Sequence, residues 1–318
     1  MDRTKVIGEK PNYISPGGAS EIRELIQRPQ GELTHATCPS GRISHPAALD
    51  GLYEMFFVLA GKGQLWRSGR GYEGVTRLHP GRWVAMPPGT AFQYRAEADA
   101  DLVFLVVVVP RWEKERYRTL DHGCWTVDGT KATNQFFDAP APPWLEDSLP
   151  AVADYFAPDG SEIRLLSHDP DGSVAHCLLP AGRTSACVRH RKVTEIWFVT
   201  GGHGALWRKP ASGDGWEVPL RYGVCVDIEA GEAFQFCSTG IEPLSMVILT
   251  MPSWPGPDEA QPAAGTVAGS RCEAALRRES SPPATLRGGL YHLRRHADRR
   301  RPLTPYRSRQ RPVVFRPP

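Results

Sequence analysis

The sequence has no apolar stretch long enough to cross a bilayer. Its longest apolar run, LVFLVVVV at Leu102–Val109, has eight residues, whereas a membrane-spanning helix needs roughly 20. The opening residues, MDRTKVIGEKPNYISPGG, lack the apolar core of a secretory signal. The seven cysteines are odd in number and none lie in CxxC spacing. We therefore expect a cytoplasmic protein with no membrane partner.

Helical periodicity is also scarce. Apolar residues recur at helical spacing only weakly, in ASEIRELIQ at 19–27. The 31 glycines and 30 prolines instead favour many short strands joined by turns. A chain of 318 residues is long enough for two domains with separate cores.

Lysine and acidic residues are scarce at the C-terminal end. From residue 260 onward there are 13 arginines, no lysine and 3 acidic residues, a net charge of +10, and the preceding residues carry −7. Because this end has no periodic apolar pattern, we predict that residues 257–318 form a disordered basic tail. It is either a polyanion-binding arm or, more simply, an extension with no dedicated ligand. The acidic remainder predicts no nucleic-acid binding by the folded part.

One segment of the sequence occurs twice. LDGLYEMFFVLAGKGQLWR at 49–67 and HRKVTEIWFVTGGHGALWR at 190–208 share a glutamate, an apolar run, a Gly-x-Gly turn and Trp-Arg, at an offset of 141. A second pair, GRWVAMPPGTAFQYR at 81–95 and GVCVDIEAGEAFQFC at 223–237, follows at an offset of 142. A single insertion among so many matched positions indicates a duplicated domain. Short strands separated by Gly, Pro and Asp turns predict a β-sandwich or barrel for each copy.

Both copies resemble the cupin superfamily, whose pattern G(x)5HxH(x)4E(x)6G is followed by G(x)5PxG(x)2H. The glycine and glutamate spacing is intact from Gly41 to Gly61 and again from Gly182 to Gly202. The resemblance implies an all-β bicupin, with two tandem double-stranded β-helix (jelly-roll) barrels. We predict an N-terminal barrel with its arm at 1–112, a connector at 113–160 and a C-terminal barrel at 161–256. It also implies either a monomer with paired barrels or a homodimer.

The resemblance implies no metal in the N-terminal barrel. In metal-dependent cupins, the three histidines and the glutamate of the pattern hold one cation. The first copy has Ala47, Leu49 and Phe92 at the histidine positions, and only Glu54 remains.

The C-terminal barrel keeps half of the ligand set. His190 and Glu195 match the pattern, but Val188 and Phe234 replace the other two histidines. Two protein ligands rarely hold a divalent metal without help. The sequence thus leaves open whether one divalent metal binds at His190 and Glu195 or none.

Strand alternation predicts which other side chains face each barrel interior. If Glu195 points inward, Trp197 does too, and His190 faces it from the opposite wall. The predicted pocket residues are Trp197, Phe234 and Phe236 in the second barrel and Glu54 and Phe92 in the first. In the first barrel we favour aromatic core filling. Outward-facing residues would be buried between sheets or between the barrels: Met55, Phe57, Ile196 and Phe198.

The two glutamates need partners if they point into a barrel, because an unpaired buried carboxylate costs several kcal/mol. The partner is a metal, a substrate or an arginine. The candidate arginines are Arg67, Arg95, Arg189 and Arg208.

Two classes of function follow. The first is an enzyme on a small molecule, with His190 and Glu195 as catalytic acid/base residues of an isomerase or cyclase, or as metal ligands of a dioxygenase or lyase. The second is a non-catalytic ligand-binding or sensing bicupin.

Overall fold

The computed structural model describes residues 3–127, 131–132 and 146–265, and over these residues the regular structure is almost entirely strand. Two single-turn 3-10 helices, Lys114–Arg116 and Pro257–Glu259, are the exceptions within that part of the chain. None of the described helices has the length and hydrophobicity that crossing a bilayer requires. Residues 266–318, most of the predicted tail, lie outside the described residues.

Fifteen strands precede or belong to the first copy and its connector: β1 (Thr4–Val6), β2 (Tyr13–Ile14), β3 (Glu21–Arg28), β4 (Gly31–Cys38), β5 (Ala47–Leu49), β6 (Tyr53–Ala60), β7 (Gly63–Gly69), β8 (Tyr72–Leu78), β9 (Arg82–Met86), β10 (Ala91–Ala96), β11 (Leu102–Val109), β12 (Tyr117–Thr119), β13 (His122–Gly123), β14 (Lys131–Ala132) and β15 (Glu146–Ser148). The others are β16 (Tyr155–Phe156), β17 (Glu162–Asp169), β18 (Gly172–Leu179), β19 (Val188–His190), β20 (Thr194–Gly201), β21 (His203–Lys209), β22 (Trp216–Arg221), β23 (Val224–Ile228), β24 (Ala233–Ser238), β25 (Leu244–Met251) and β26 (Ala260–Pro262).

Each copy folds into a barrel made of a seven-stranded and a five-stranded sheet. The first barrel joins the order β15-β9-β6-β11-β4-β3-β2 to β12-β5-β10-β7-β8. The second joins β1-β23-β20-β25-β18-β17-β16 to β22-β21-β24-β19-β26. The prediction of an all-β fold with two jelly-roll barrels is therefore confirmed.

The side chains of the seven-stranded sheets alternate between two cores. In β6, Phe56 points into the first barrel, whereas Met55 and Phe57 join a cluster that also contains Ile196 and Phe198 of the second barrel. The two seven-stranded sheets thus pack face to face within one chain. This explains why Leu102–Val109 is apolar throughout: its strand is buried on both faces.

The Gly-x-Gly turns of the repeat depend on glycine for two reasons. Gly61 and Gly202 both adopt positive φ, 77° and 73°. A Cβ atom would lie 1.7 Å from the carbonyl oxygen of Asp101 at the first turn and 2.2 Å from that of Pro243 at the second. The chain returns so closely that no side chain fits at either position.

The predicted domain boundaries differ from the structure at sheet edges. The N-terminal strand β1 belongs to the second barrel, where it pairs with β23. The connector supplies edge strands β12 and β15 to the first barrel and β16 to the second. The segment 257–262, predicted as disordered tail, holds a 3-10 turn and the edge strand β26. Strands of two or three residues are too short to show the alternation of apolar and polar residues that predicts a strand. They nevertheless cover sheet edges that would otherwise be exposed.

The weak helical pattern at 19–27 belongs to strand β3. A register shift between Glu24 and Gln27 interrupts its pairing with β4. Ile22 therefore faces the first barrel interior, while Leu25 and Ile26 both join the cluster between the barrels. A β-bulge in a strand gave the apolar residues a spacing that resembles a helical one.

Candidate functional site

The second barrel encloses a cavity of about 60 Å³ on which His190 and Glu195 converge. Glu195 lies in β20, on the same rung of the sheet as Thr250 of β25. His190 ends β19 in the facing sheet. The side chains predicted as pocket residues, Trp197, Phe234 and Phe236, also line this cavity.

The carboxylate of Glu195 is held by two neutral donors. Trp197 Nε1 donates to Oε2 at 2.7 Å, and Thr250 Oγ1 donates to Oε1 at 3.0 Å. Glu195 is only 6% exposed. The two hydrogen bonds fix the carboxylate's orientation and compensate for part of its lost hydration.

The imidazole of His190 is packed but lacks a polar partner at one nitrogen. Its ring makes edge contacts with Phe234 and Trp254, with ring centroids 5.0 and 5.3 Å apart. Nδ1 is buried and has no hydrogen-bond partner among the described residues. It lies 3.8 Å from Glu195 Oε2, beyond hydrogen-bond distance. A bound molecule can therefore contact both groups.

The structure adds polar groups that the sequence did not indicate. Tyr155, Asp159, Ser173 and Thr250 all line the cavity. Burial raises the pKa of Asp159, opposed by hydrogen bonds from Ser161 and reinforced by the charge of Glu195. Burial, followed by the charge of Glu195, raises the pKa of Tyr155 to about 12. These residues lie outside the motif, and only pairing with distant strands brings them to the cavity.

The donor set does not fit a metal ion. In the described residues no three His, Cys, Asp or Glu side chains come together in a way that would hold one. Val188 and Phe234 lie directly opposite each other on β19 and β24, at two positions where the cupin pattern has histidine. The ring of Phe234 packs against His190. Phe234 thus places an apolar ring beside His190, at a position where a further metal ligand would be needed.

The first barrel also encloses a cavity, of about 90 Å³, and Glu54 and Phe92 are among the residues that line it. Phe56, Phe92, Tyr94 and Phe104 belong to the buried core of this barrel and also form walls of the cavity. Glu32 of β4, which the sequence did not indicate, lines the same cavity. Burial and the charge of Glu32 raise the pKa of Glu54 to about 8. Burial raises the pKa of Glu32 to about 7, with Arg111 opposing and Glu24 adding to the rise.

The arginines of the repeat do not pair with the motif glutamates. Arg67 is buried and binds Glu146 from the connector. Arg208 is buried and binds Glu232, with Nε–Oε1 and Nη2–Oε2 distances of 2.6 and 2.8 Å. The hypothesis that these two arginines neutralise Glu54 and Glu195 is wrong. Their partners come from segments that local sequence cannot connect to them.

Three other histidines of the two barrels lie in different environments. His45 lines the mouth of the first cavity. His176 instead stacks against Phe57 between the barrels, with centroids 6.4 Å apart. His203, the first residue of β21, is exposed.

Comparisons with known proteins agree with this architecture. Residues 35–108 match the cupin domain family. A search of curated protein sequences found no match. Residues 35–108 of the first barrel thus form a cupin domain, and the second barrel repeats its two-sheet architecture.

Among solved structures, oxalate decarboxylases share the fold. The enzyme from Lactobacillus farciminis, in a formate complex, has a TM-score of 0.63 and 12% identity, and the match covers 89% of this chain and 97% of that one. A tryptophan-to-phenylalanine variant from B. subtilis has a TM-score of 0.62 and 11% identity, over 80% of this chain and 78% of that one. The Bacillus subtilis enzyme at pH 4.6 has a TM-score of 0.60 and 12% identity, over 80% and 77%. At such identities the likeness concerns the two-barrel fold.

Proposed function

We propose that the C-terminal barrel binds a small, uncharged organic molecule and transfers a proton to or from it through His190 and Glu195. The observation that carries this proposal is the buried Nδ1 of His190, which has no partner in the described structure and lies 3.8 Å from a carboxylate fixed by two donors. Such a pair can remove a proton from one position and return it at another. Isomerisation, epimerisation and cyclisation are the reactions this supports.

The cavity sets the size and polarity of the substrate. A volume of about 60 Å³ holds roughly five water molecules, so the substrate has about as many non-hydrogen atoms. No lysine or arginine lines the cavity within the described residues. Tyr155 and Ser173 offer hydroxyl groups for a carbonyl or alcohol, whereas the Thr250 hydroxyl is already donated to Glu195.

Oxalate, the substrate named for the structurally similar enzymes, does not suit this cavity. It is a dianion, and the cavity presents Glu195 and Asp159 with His190 as the lone basic side chain in the described lining. The metal ligand set is also incomplete. We therefore propose a metal-independent acid/base reaction.

The test is proton exchange followed by NMR in deuterium oxide. Chelator-treated protein is mixed with a panel of small hydroxyketones, aldehydes and ketones, and loss of carbon-bound proton signals is measured. Wild type should accelerate exchange of at least one compound, and His190→Ala and Glu195→Gln should each lower the rate by about 100-fold or more. His203→Ala, an exposed histidine of the same barrel, is the matched control and should retain the rate.

Other outcomes contradict the proposal. Exchange that disappears with chelator and returns with added metal would favour metal-dependent chemistry. A compound that binds in a His190-dependent way without any exchange would favour the non-catalytic ligand-binding alternative.

A further inference from the structure

The N-terminal cavity places two carboxyl groups on one rung of a sheet. Glu32 and Glu54 are the backbone partners of Val108 from its two sides. With strands about 4.8 Å apart, their Cα atoms are about 10 Å apart, and both side chains line the cavity. The two carboxyls therefore face a shared space.

Neither carboxyl group has a buried cationic partner in the described structure. Glu54 is 8% exposed, and its Oε2 is buried with no hydrogen-bond partner there. Glu32 is 5% exposed, and its nearest cation is Arg111, whose Nε lies 3.6 Å from Oε2 and whose side chain is 49% exposed. Buried carboxylates without compensation are costly, so a ligand that supplies positive charge would relieve both.

The remaining lining complements an organic cation. No lysine or arginine lines the cavity in the described part of the chain, and His45 at the mouth is the one basic side chain there. Aromatic rings attract cations to their faces. Seven line this cavity: Tyr13, Phe56, Phe92, Tyr94, Phe104, Trp112 and Tyr117.

We propose that the N-terminal barrel binds a small organic ammonium ion, with Glu32 and Glu54 as its counter-charges and the aromatic walls around its carbon atoms. A volume of about 90 Å³ corresponds to roughly seven water molecules, so the ion has about five to seven non-hydrogen atoms. This site is separate from the one proposed in the second barrel and does not depend on it.

Binding of a cation is linked to proton release. Glu54 and Glu32 have pKa values raised to about 8 and about 7, so both must lose protons to act as counter-charges. Affinity should therefore rise between about pH 6 and pH 9. The other titratable groups facing this cavity are Tyr13, Tyr94, Tyr117 and His45.

Calorimetric titration of the full chain tests the proposal. Isobutylammonium and tetramethylammonium are titrated beside neutral isobutanol, which matches the first in shape. The ammonium ions should bind with net proton release, and isobutanol at least about tenfold more weakly. Glu54→Gln and Glu32→Gln should each weaken ammonium binding by about tenfold or more. Glu195→Gln, the equivalent change in the other barrel, should leave ammonium affinity unchanged.

Several results would overturn the proposal. These are isobutanol binding as tightly as isobutylammonium, ammonium affinity that survives both Glu→Gln changes, and no ammonium binding at millimolar concentration to folded wild type. Manganese binding that requires Glu54, without ammonium binding, would assign the carboxyls to a metal instead. Because the Gln variants remove buried carboxyl groups of raised pKa, they should fold, and thermal unfolding confirms this for each preparation.

Discussion

Replacing Glu54 with glutamine should stabilise the protein, and increasingly so as pH rises. The pKa of Glu54 rises from 4.5 to about 8 on folding, mainly because of burial. The folded protein therefore binds more protons than the unfolded protein between these pH values. Stability must fall as pH increases through that window. Glutamine has nearly the same shape and no charge, so Glu54→Gln removes this pH dependence.

The size of the effect follows from the pKa difference. One pKa unit corresponds to about 1.4 kcal/mol, so ionising Glu54 at alkaline pH costs roughly 3–6 kcal/mol of folding stability. At pH 4.5 the same carboxyl is protonated in the folded state and about half protonated in the unfolded state, so it costs little there. The free energy of unfolding of Glu54→Gln should therefore exceed that of wild type by several kcal/mol more at alkaline pH than at acidic pH.

Urea unfolding at a series of pH values measures this difference. Glu115→Gln, which changes an exposed glutamate on the 3-10 turn at Lys114–Arg116, is the control and should show no pH-dependent gain. A stability difference between Glu54→Gln and wild type that is the same at all pH values would refute the reasoning, because the carboxyl would then not change its pKa on folding.

Two more predictions concern packing. Burial lowers the pKa values of His35 and His176 from 6.5 to about 4. Between these pH values the unfolded protein binds protons that the folded protein does not, so folding stability falls as pH decreases from 6.5 towards 4. Substituting both with leucine should flatten the acid side of the stability profile by up to about 3 kcal/mol per histidine, and an unchanged acid profile would contradict this. Gly202→Ala should lower the melting temperature more than Gly231→Ala. Both glycines have positive φ, but an added Cβ meets a carbonyl only at Gly202. Equal decreases in melting temperature would show that the positive φ, and not the contact with the carbonyl, sets the cost of the substitution.

The two barrels could be predicted from the sequence because each Gly-x-Gly turn requires glycine at a fixed position. The glycines of the repeat are required by positive φ and close chain approach, as at Gly61 and Gly202. The orientation of Glu195 and Trp197 followed from strand alternation. These features are encoded within about 20 consecutive residues, so one sequence sufficed to detect them.

The site was predictable only in part, because its other groups are brought together by long-range pairing. Glu32 precedes the motif and reaches the first cavity through β11. Asp159 belongs to the segment predicted as connector. Glu146, also in that segment, neutralises Arg67. None of these contacts follows from the local spacing of residues.

One pair of equivalent residues accounts for the different hydrogen bonding of the two glutamates. Thr250 in the second barrel and Val108 in the first lie on the rung beside Glu195 and Glu54, respectively. The Thr250 hydroxyl donates to Glu195 at 3.0 Å, and valine has no hydroxyl to offer Glu54.

The other neighbours on these rungs reinforce the difference. Glu32 lies beyond Val108, where Ser173 lies beyond Thr250. Glu54 thus lacks the donor, and its burial, followed by the charge of Glu32, raises its pKa to about 8. In the second barrel the carboxylate is held by donors and faces an imidazole. After the duplication the two cavities thus acquired different polar groups, and the two proposals above rest on that difference.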